Sequence, residues 1–104
     1  MRIQIDHDDH VRGSRNRSQE IEATVHGALD RFGDNITLVQ VHLRDENGPR
    51  FSADDKRCLM EARVAHHPPI AVSHRAINLQ QAVMGAANKL ERSINHALDR
   101  ARSH

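Results

Sequence analysis

Apolar and polar residues alternate in four stretches of this chain and recur at three- and four-residue intervals in two others. Met1, Ile3 and Ile5 alternate with Arg2, Gln4 and Asp6, which predicts a short strand. The polar stretch from His7 to Arg17 carries Gly13 and reads as a connection. Ile21, Val25, Ala28, Leu29 and Phe32 then follow helical spacing. They predict a helix opening near Ser14 or Ser18, both competent N-caps, and stopping at Gly33. From Ile36 to Arg44 the alternation returns: Val39, Val41 and Leu43 share one face, extended by Thr37, with Gln40, His42 and Arg44 on the other. Turn residues Asp45 to Pro49 open a polar connection that runs to Arg57. Cys58, Met60, Ala62 and Val64 then face one way and Leu59, Glu61 and Arg63 the other, a strand ending at Ala65. His66, His67, Pro68 and Pro69 break the chain, because the two prolines cannot donate to a ladder. Ile70, Val72 and His74 alternate with Ala71, Ser73 and Arg75 up to Ala76. The last helix starts at Asn78, with Gln81 three residues on as a weak capping box. Its apolar face is Leu79, Val83, Ala86, Leu90, Ile94, Ala97 and Ala101, and its length is about 24 residues, or ~36 Å.

The order β-α-β-β-β-α gives an α+β fold, a four-stranded sheet with two helices packed on one face, as one domain over 1–104. The other face, with Gln40, His42, Arg44, Glu61, Arg63 and Arg75, is then polar and exposed. No apolar run approaches the ~20 residues of a membrane span, so no membrane partner is expected. The opening MRIQIDHDDH has no basic-then-apolar signal segment, and a cytoplasmic location is the expectation. The lone cysteine, Cys58, has no internal disulfide partner. Only Phe32 and Phe51 are aromatic, so a platform for stacking bases is poorly supplied.

Charge is distributed unevenly. The formal net charge is +1, but residues 53–104 hold eight Lys or Arg against five acids, and residues 1–52 seven against nine. On a wheel of ~100° per residue, Lys89, Arg92, His96 and Arg100 fall within about 80°, away from the apolar face. Asp99 lies at the edge of this ridge and Glu91 elsewhere. Intervals of three, four and four residues set charges every ~4.5–6 Å along the axis, a pitch suited to successive RNA phosphates. Such a ridge reads charge and shape rather than base sequence. A bland account also exists: basic side chains near a helix C-terminus complement its dipole and keep the surface soluble. Arg63 and Arg75 extend the basic surface if their strands are neighbours. Arg12, Arg15 and Arg17 are offset by Asp6, Asp8 and Asp9.

Other candidates are weaker. The run His7-Asp8-Asp9-His10 has zinc-type donors, and a metal module at His7, Asp9 and His10 is one alternative, yet nothing fixes its geometry. His66 and His67 read as turn residues, and Cys58 as core rather than nucleophile. No Gly-rich phosphate loop or catalytic spacing is present, so neither enzyme activity, a cofactor nor a small-molecule substrate is expected. A protein adaptor or homodimer without RNA is a further alternative, favoured by the near-neutral charge.

The chain resembles the short ribosome hibernation promoting factors, relatives of the ribosome-associated inhibitor, once called sigma-54 modulation proteins. The resemblance rests on MRIQI, on IEATVHGALDRFGDNITLVQVHL and on CLMEARVAHHPPIAVSHRAINLQQAVMGAANKLERSINHALDR. Asn88-Lys89-Leu90 followed by Arg92 resembles the family's Asp-Lys-Leu region. The resemblance implies a fold close to the double-stranded RNA-binding domain and no catalysis. It implies binding to the small ribosomal subunit and its rRNA in the mRNA/tRNA channel, inhibition of translation or preservation of idle ribosomes under stress, and often dimers. It places RNA contacts at Lys89, Arg92 and His96, in the tail at Arg100 and Arg102, and at basic sheet positions such as Arg63 and Arg75. The chain departs from the family's Asp-x-Tyr-x-x-Ile-Asp pattern, where it has Asn78, Gln80, Val83 and Met84.

Overall fold

A computed structural model describes residues 1–7, 17–45 and 56–102, with the side chain of residue 102 left aside. Within them the order is β1 (Arg2–His7), α1 (Ser18–Leu29), a 3-10 turn (Asp30–Asn35), β2 (Ile36–Asp45), β3 (Lys56–Val64), β4 (Ile70–Ala76) and α2 (Leu79–Arg102). The strands lie in the order β1-β2-β3-β4. β1 and β2 are parallel, so α1 serves as the crossover between them. β2–β3 and β3–β4 are antiparallel. This is the expected α+β arrangement, with both helices on one face of the sheet.

The expected inward residues are buried: Val39, Val41, Leu43, Cys58, Met60 and Ala62 are at most 1% exposed. Ile3 and Ile5 are half-buried against this core, while Met1 is exposed. From the helices come Ile21, Val25 and Leu29 of α1, and Leu79, Val83, Ala86, Leu90 and Ile94 of α2. Two buried alanines of α2, Ala82 and Ala87, widen its apolar stripe beyond the predicted one. Ala101, expected on that stripe, is exposed in the last turn of α2. α2 lies across β3 and β4 and against α1.

Several boundaries moved, each for a local reason. α1 begins at Ser18, with Arg17 preceding it and no side-chain cap on that turn. The α-helix stops at Leu29, and a 3-10 turn carries Phe32 into the core before Gly33 turns the chain at φ +56°. Asn35 Nδ2 donates to the Phe32 carbonyl at 3.0 Å, closing that turn. A bulge between Ile36 and Leu38 buries Ile36 and exposes Thr37, which therefore does not extend the Val39 face. β3 opens at Lys56 rather than Cys58, because Lys56 pairs in register with Asp45 and their side chains form an ion pair at 3.0 Å. The break at His66–Pro69 is a turn in which His66 takes φ +61° and His67 N donates to the Val64 carbonyl at 3.2 Å. Asn78 caps α2 as predicted: Gln81 N donates to Asn78 Oδ1 at 2.8 Å.

α2 approaches the sheet closely at Gly85. A Cβ there would overlap the His74 ring. Only a residue without a side chain fits, although glycine costs about 1 kcal/mol of helix propensity relative to alanine. Gly85→Ala should therefore destabilise the protein, by ~1–3 kcal/mol in chemical denaturation, since the whole imidazole must move. In a His74→Ala background the same substitution should instead stabilise, by up to ~1 kcal/mol. The same loss in both backgrounds would show that the ring is not the obstacle.

Candidate nucleic-acid interface

The basic ridge of α2 is placed by the burial of the opposite stripe. Leu90 and Ile94 are fully covered, which turns Lys89, Arg92, His96 and Arg100 outward, all four exposed. Eleven residues of helix separate the first from the last, ~16 Å along the axis. The ridge runs beside edge strand β4: Gly85 abuts His74, and Lys89 Nζ donates to the Ser73 carbonyl at 2.9 Å. That bond fixes the ammonium at the rim of the sheet and leaves two of its three N–H groups for other acceptors. Arg100 Nη2 lies 3.1 Å from His96 Nε2. A guanidinium has no acceptor, so Arg100 donates and the imidazole nitrogen accepts. The ridge thus carries three full charges, with the His96 ring bonded to the last of them.

Glu91 turns to the other side of α2 and meets Arg31 at 3.4 Å, in a half-exposed pair. Arg31 also stacks over Phe32 at 4.7 Å, so this pair belongs to the seam between α2 and the 3-10 turn. Asp99 is itself engaged in an interaction. Among the described residues, no ion pair joins Lys89, Arg92 or Arg100 to a carboxylate. Arg102 closes α2.

The two sheet arginines fall apart. β3 and β4 are neighbours, as the basic-patch expectation required, but Arg63 pairs with Leu38 and Arg75 pairs with Arg57. Arg57 and Arg63 lie six residues apart on one strand, ~20 Å. Both arginines are exposed, at opposite ends of the sheet. The register instead aligns Arg75 with Arg57 and Arg44, on three adjacent strands. Arg57 escaped the sequence reading because the strand was started at Cys58. The signal was there: carried two residues upstream, the alternation puts Arg57 on the outer face with Leu59.

Asp8 to His10 lie outside the described residues, as do Arg12, Arg15 and Phe51. His7 ends β1 and is half-buried. No group of three or more His, Cys, Asp or Glu is arranged for a metal among the described residues. Cys58 is buried, and desolvation pushes its thiol up to about 12 from an ordinary 9.0. A thiol held neutral is no nucleophile. The neutral form costs nothing below the unfolded-state value, but between pH ~9 and ~12 the unfolded chain ionises and the folded one does not, so stability falls as pH rises through that window. At pH 8 the native protein should resist iodoacetamide under conditions that fully label the chain in denaturant; rapid native labelling would contradict the burial.

No helix among the described residues is long and apolar enough to cross a membrane. A crystal structure of the Thermus thermophilus Protein Y N-terminal domain shares the fold, with a TM-score of 0.67 and 17% identity over 92% of this chain and 98% of that one. No curated protein matches the sequence. The family model described as sigma 54 modulation protein / S30EA ribosomal protein matches residues 3–102. With nearly the whole chain matched and the β-α-β-β-β-α topology in place, the protein belongs to this non-enzymatic, ribosome-associated family.

Proposed function

We propose that the protein acts in the cytoplasm by binding the small ribosomal subunit through rRNA phosphates in the mRNA/tRNA channel. There it inhibits translation or preserves idle ribosomes under stress. The observation that carries this reading is the exposed line of Lys89, Arg92 and Arg100 on the outer side of α2, with no ion pair to a carboxylate among the described residues. Family membership supports the ribosome as the source of those phosphates. Contact through charge and shape fits the supply of side chains: the one aromatic among the described residues, Phe32, is buried and cannot stack on a base. Arg102, at the end of α2 and off the line of the ridge, is a further contact from the tail, and Arg63 and Arg75 are secondary contacts at the two ends of the sheet. His96 adds a hydrogen bond that holds Arg100 on the ridge.

The mechanism is occupancy. A protein seated on rRNA phosphates where mRNA and tRNA must pass excludes them without any covalent step. Its affinity then carries the salt dependence of phosphate neutralisation, with a log–log slope of roughly −0.7 to −0.9 per contact.

Cosedimentation with purified small subunits tests this directly. Binding at low salt should weaken steeply as salt rises. The double variant Lys89→Glu with Arg92→Glu should bind roughly tenfold or more weakly and show a shallower salt slope, with unchanged circular dichroism. No cosedimentation at low salt would refute ribosome binding. Unaltered affinity in the double variant would remove α2 from the interface.

A further inference from the structure

The sheet face turned away from the helices holds a second concentration of positive charge. Its charged residues, among those described, are Arg2, Arg44, Arg57, Arg63 and Arg75 against Asp6 and Glu61. Five against two is a net of +3 on this face in a chain of net +1, which leaves the remainder at −2. The positive charge is concentrated at one end. Arg44 pairs directly with Arg57, and Arg57 directly with Arg75. Neighbouring strands are ~4.8 Å apart, so three guanidinium-bearing side chains stand abreast within ~10 Å. Their flanking residues Leu43, Cys58 and Ala76 are buried on the opposite face, which fixes the outward direction of all three arginines.

We propose that Arg44, Arg57 and Arg75 form an anion site for a run of adjacent phosphoryl groups, separate from the α2 ridge. Like charges directly opposite each other in a sheet are destabilising, and an anion lying over them reverses the sign of that interaction. The arginine fork matches phosphate oxygens two at a time, which lysine does not. Among the described residues, the two acids of this face, Asp6 and Glu61, lie outside the row. Asp6 sits in the adjacent row and is held 3.3 Å from His42 Nδ1. Glu61 lies four residues from Arg57 on the same strand, ~13 Å away. Arg57 and Arg75 each take part in a further interaction, so the site is defined by the register that sets three arginines abreast and not by vacancy. His42, Leu59 and Ser73 border the row, and the one ring among them, His42, is held against Asp6. The chemistry recognised is therefore phosphate, supplied either by a nucleic-acid backbone or by a compact polyphosphate chain.

The site stands on strand register and does not depend on the ribosomal reading of α2. Inorganic triphosphate and a short single-stranded RNA, titrated separately into the full chain by calorimetry, test it. The variants are Arg44→Gln with Arg57→Gln on the sheet, and Lys89→Gln with Arg92→Gln on α2. Triphosphate should bind the wild type and the α2 variant within about twofold of each other, and the sheet variant roughly tenfold or more weakly. Loss of RNA affinity in the sheet variant assigns the phosphates to a nucleic-acid backbone, even if triphosphate proves a poor ligand. Loss of triphosphate affinity with RNA affinity intact assigns them to a compact polyphosphate. Wild-type nuclear magnetic resonance gives a check free of variant folding: the bound probe should shift the Arg44, Arg57 and Arg75 side-chain Nε–H signals. The site is refuted if neither probe moves those signals, or if the folded sheet variant binds both probes as the wild type does. Cosedimentation with small subunits, scored for the same two variants, reads the failure of the α2 proposal separately.

Discussion

The close approach of α2 to the edge of the sheet is the constraint from which the rest of the structure follows. It requires small residues where helix and strands come nearest. Ala82, Ala86 and Ala87 are buried there, and Gly85 leaves room for the ring of His74. With the axis held that near, Lys89 reaches the Ser73 carbonyl and covers part of an edge strand that would otherwise offer its backbone to another chain. The same seating sets the rotation of the helix. Once Leu90 and Ile94 are in the core, Lys89, Arg92 and Arg100 have no direction left but outward, and Glu91 is turned toward Arg31. The cationic line is thus a consequence of packing as much as of composition.

The arrangement splits the molecule's charge between two surfaces with different geometry. On α2 the charges are strung along a rod, three over ~16 Å, suited to a polymer that runs beside it. On the sheet they are set side by side across strands, within ~10 Å, suited to a compact cluster. Both rely on arginine and lysine without aromatic help, which is consistent with recognition of phosphate and shape. In a chain so close to neutral, this segregation is what provides an electrostatic footprint.

Most of the architecture was legible because burial has a period. The alternation of Val39, Val41 and Leu43 and of Cys58, Met60 and Ala62 marked the sheet's inner face, and the three- and four-residue spacing of Leu79, Val83, Leu90 and Ile94 marked the long helix. The Asn78 cap was legible for a chemical reason, its amide oxygen standing in reach of Gln81 N. What was hidden depends on partners distant in sequence. Lys56 and Arg57 look like connection residues until Asp45 and Arg75 are known to lie opposite them. The separation of Arg63 from Arg75 is likewise a matter of register, which alternation alone leaves open. The bulge at Thr37 shifts the face of one residue for a reason visible only in the pairing with β3. On α2 the positions of the ridge were readable from the wheel, but its nearness to β4 was not, because Gly85 carries no side chain to count in any pattern.

The ion pair of Lys56 and Asp45 also ties the two ends of the segment between β2 and β3. Both side chains are largely covered, at 25% and 15% exposed, and they sit at the last register position the two strands share. The strands are therefore clasped before the intervening ten residues begin. Closure entropy rises slowly with length, by about 0.6 kcal/mol per doubling. A clasp at the base keeps that small penalty from reaching the strand register. The register of β2 and β3 is thereby fastened at its far end by two residues of the strands themselves.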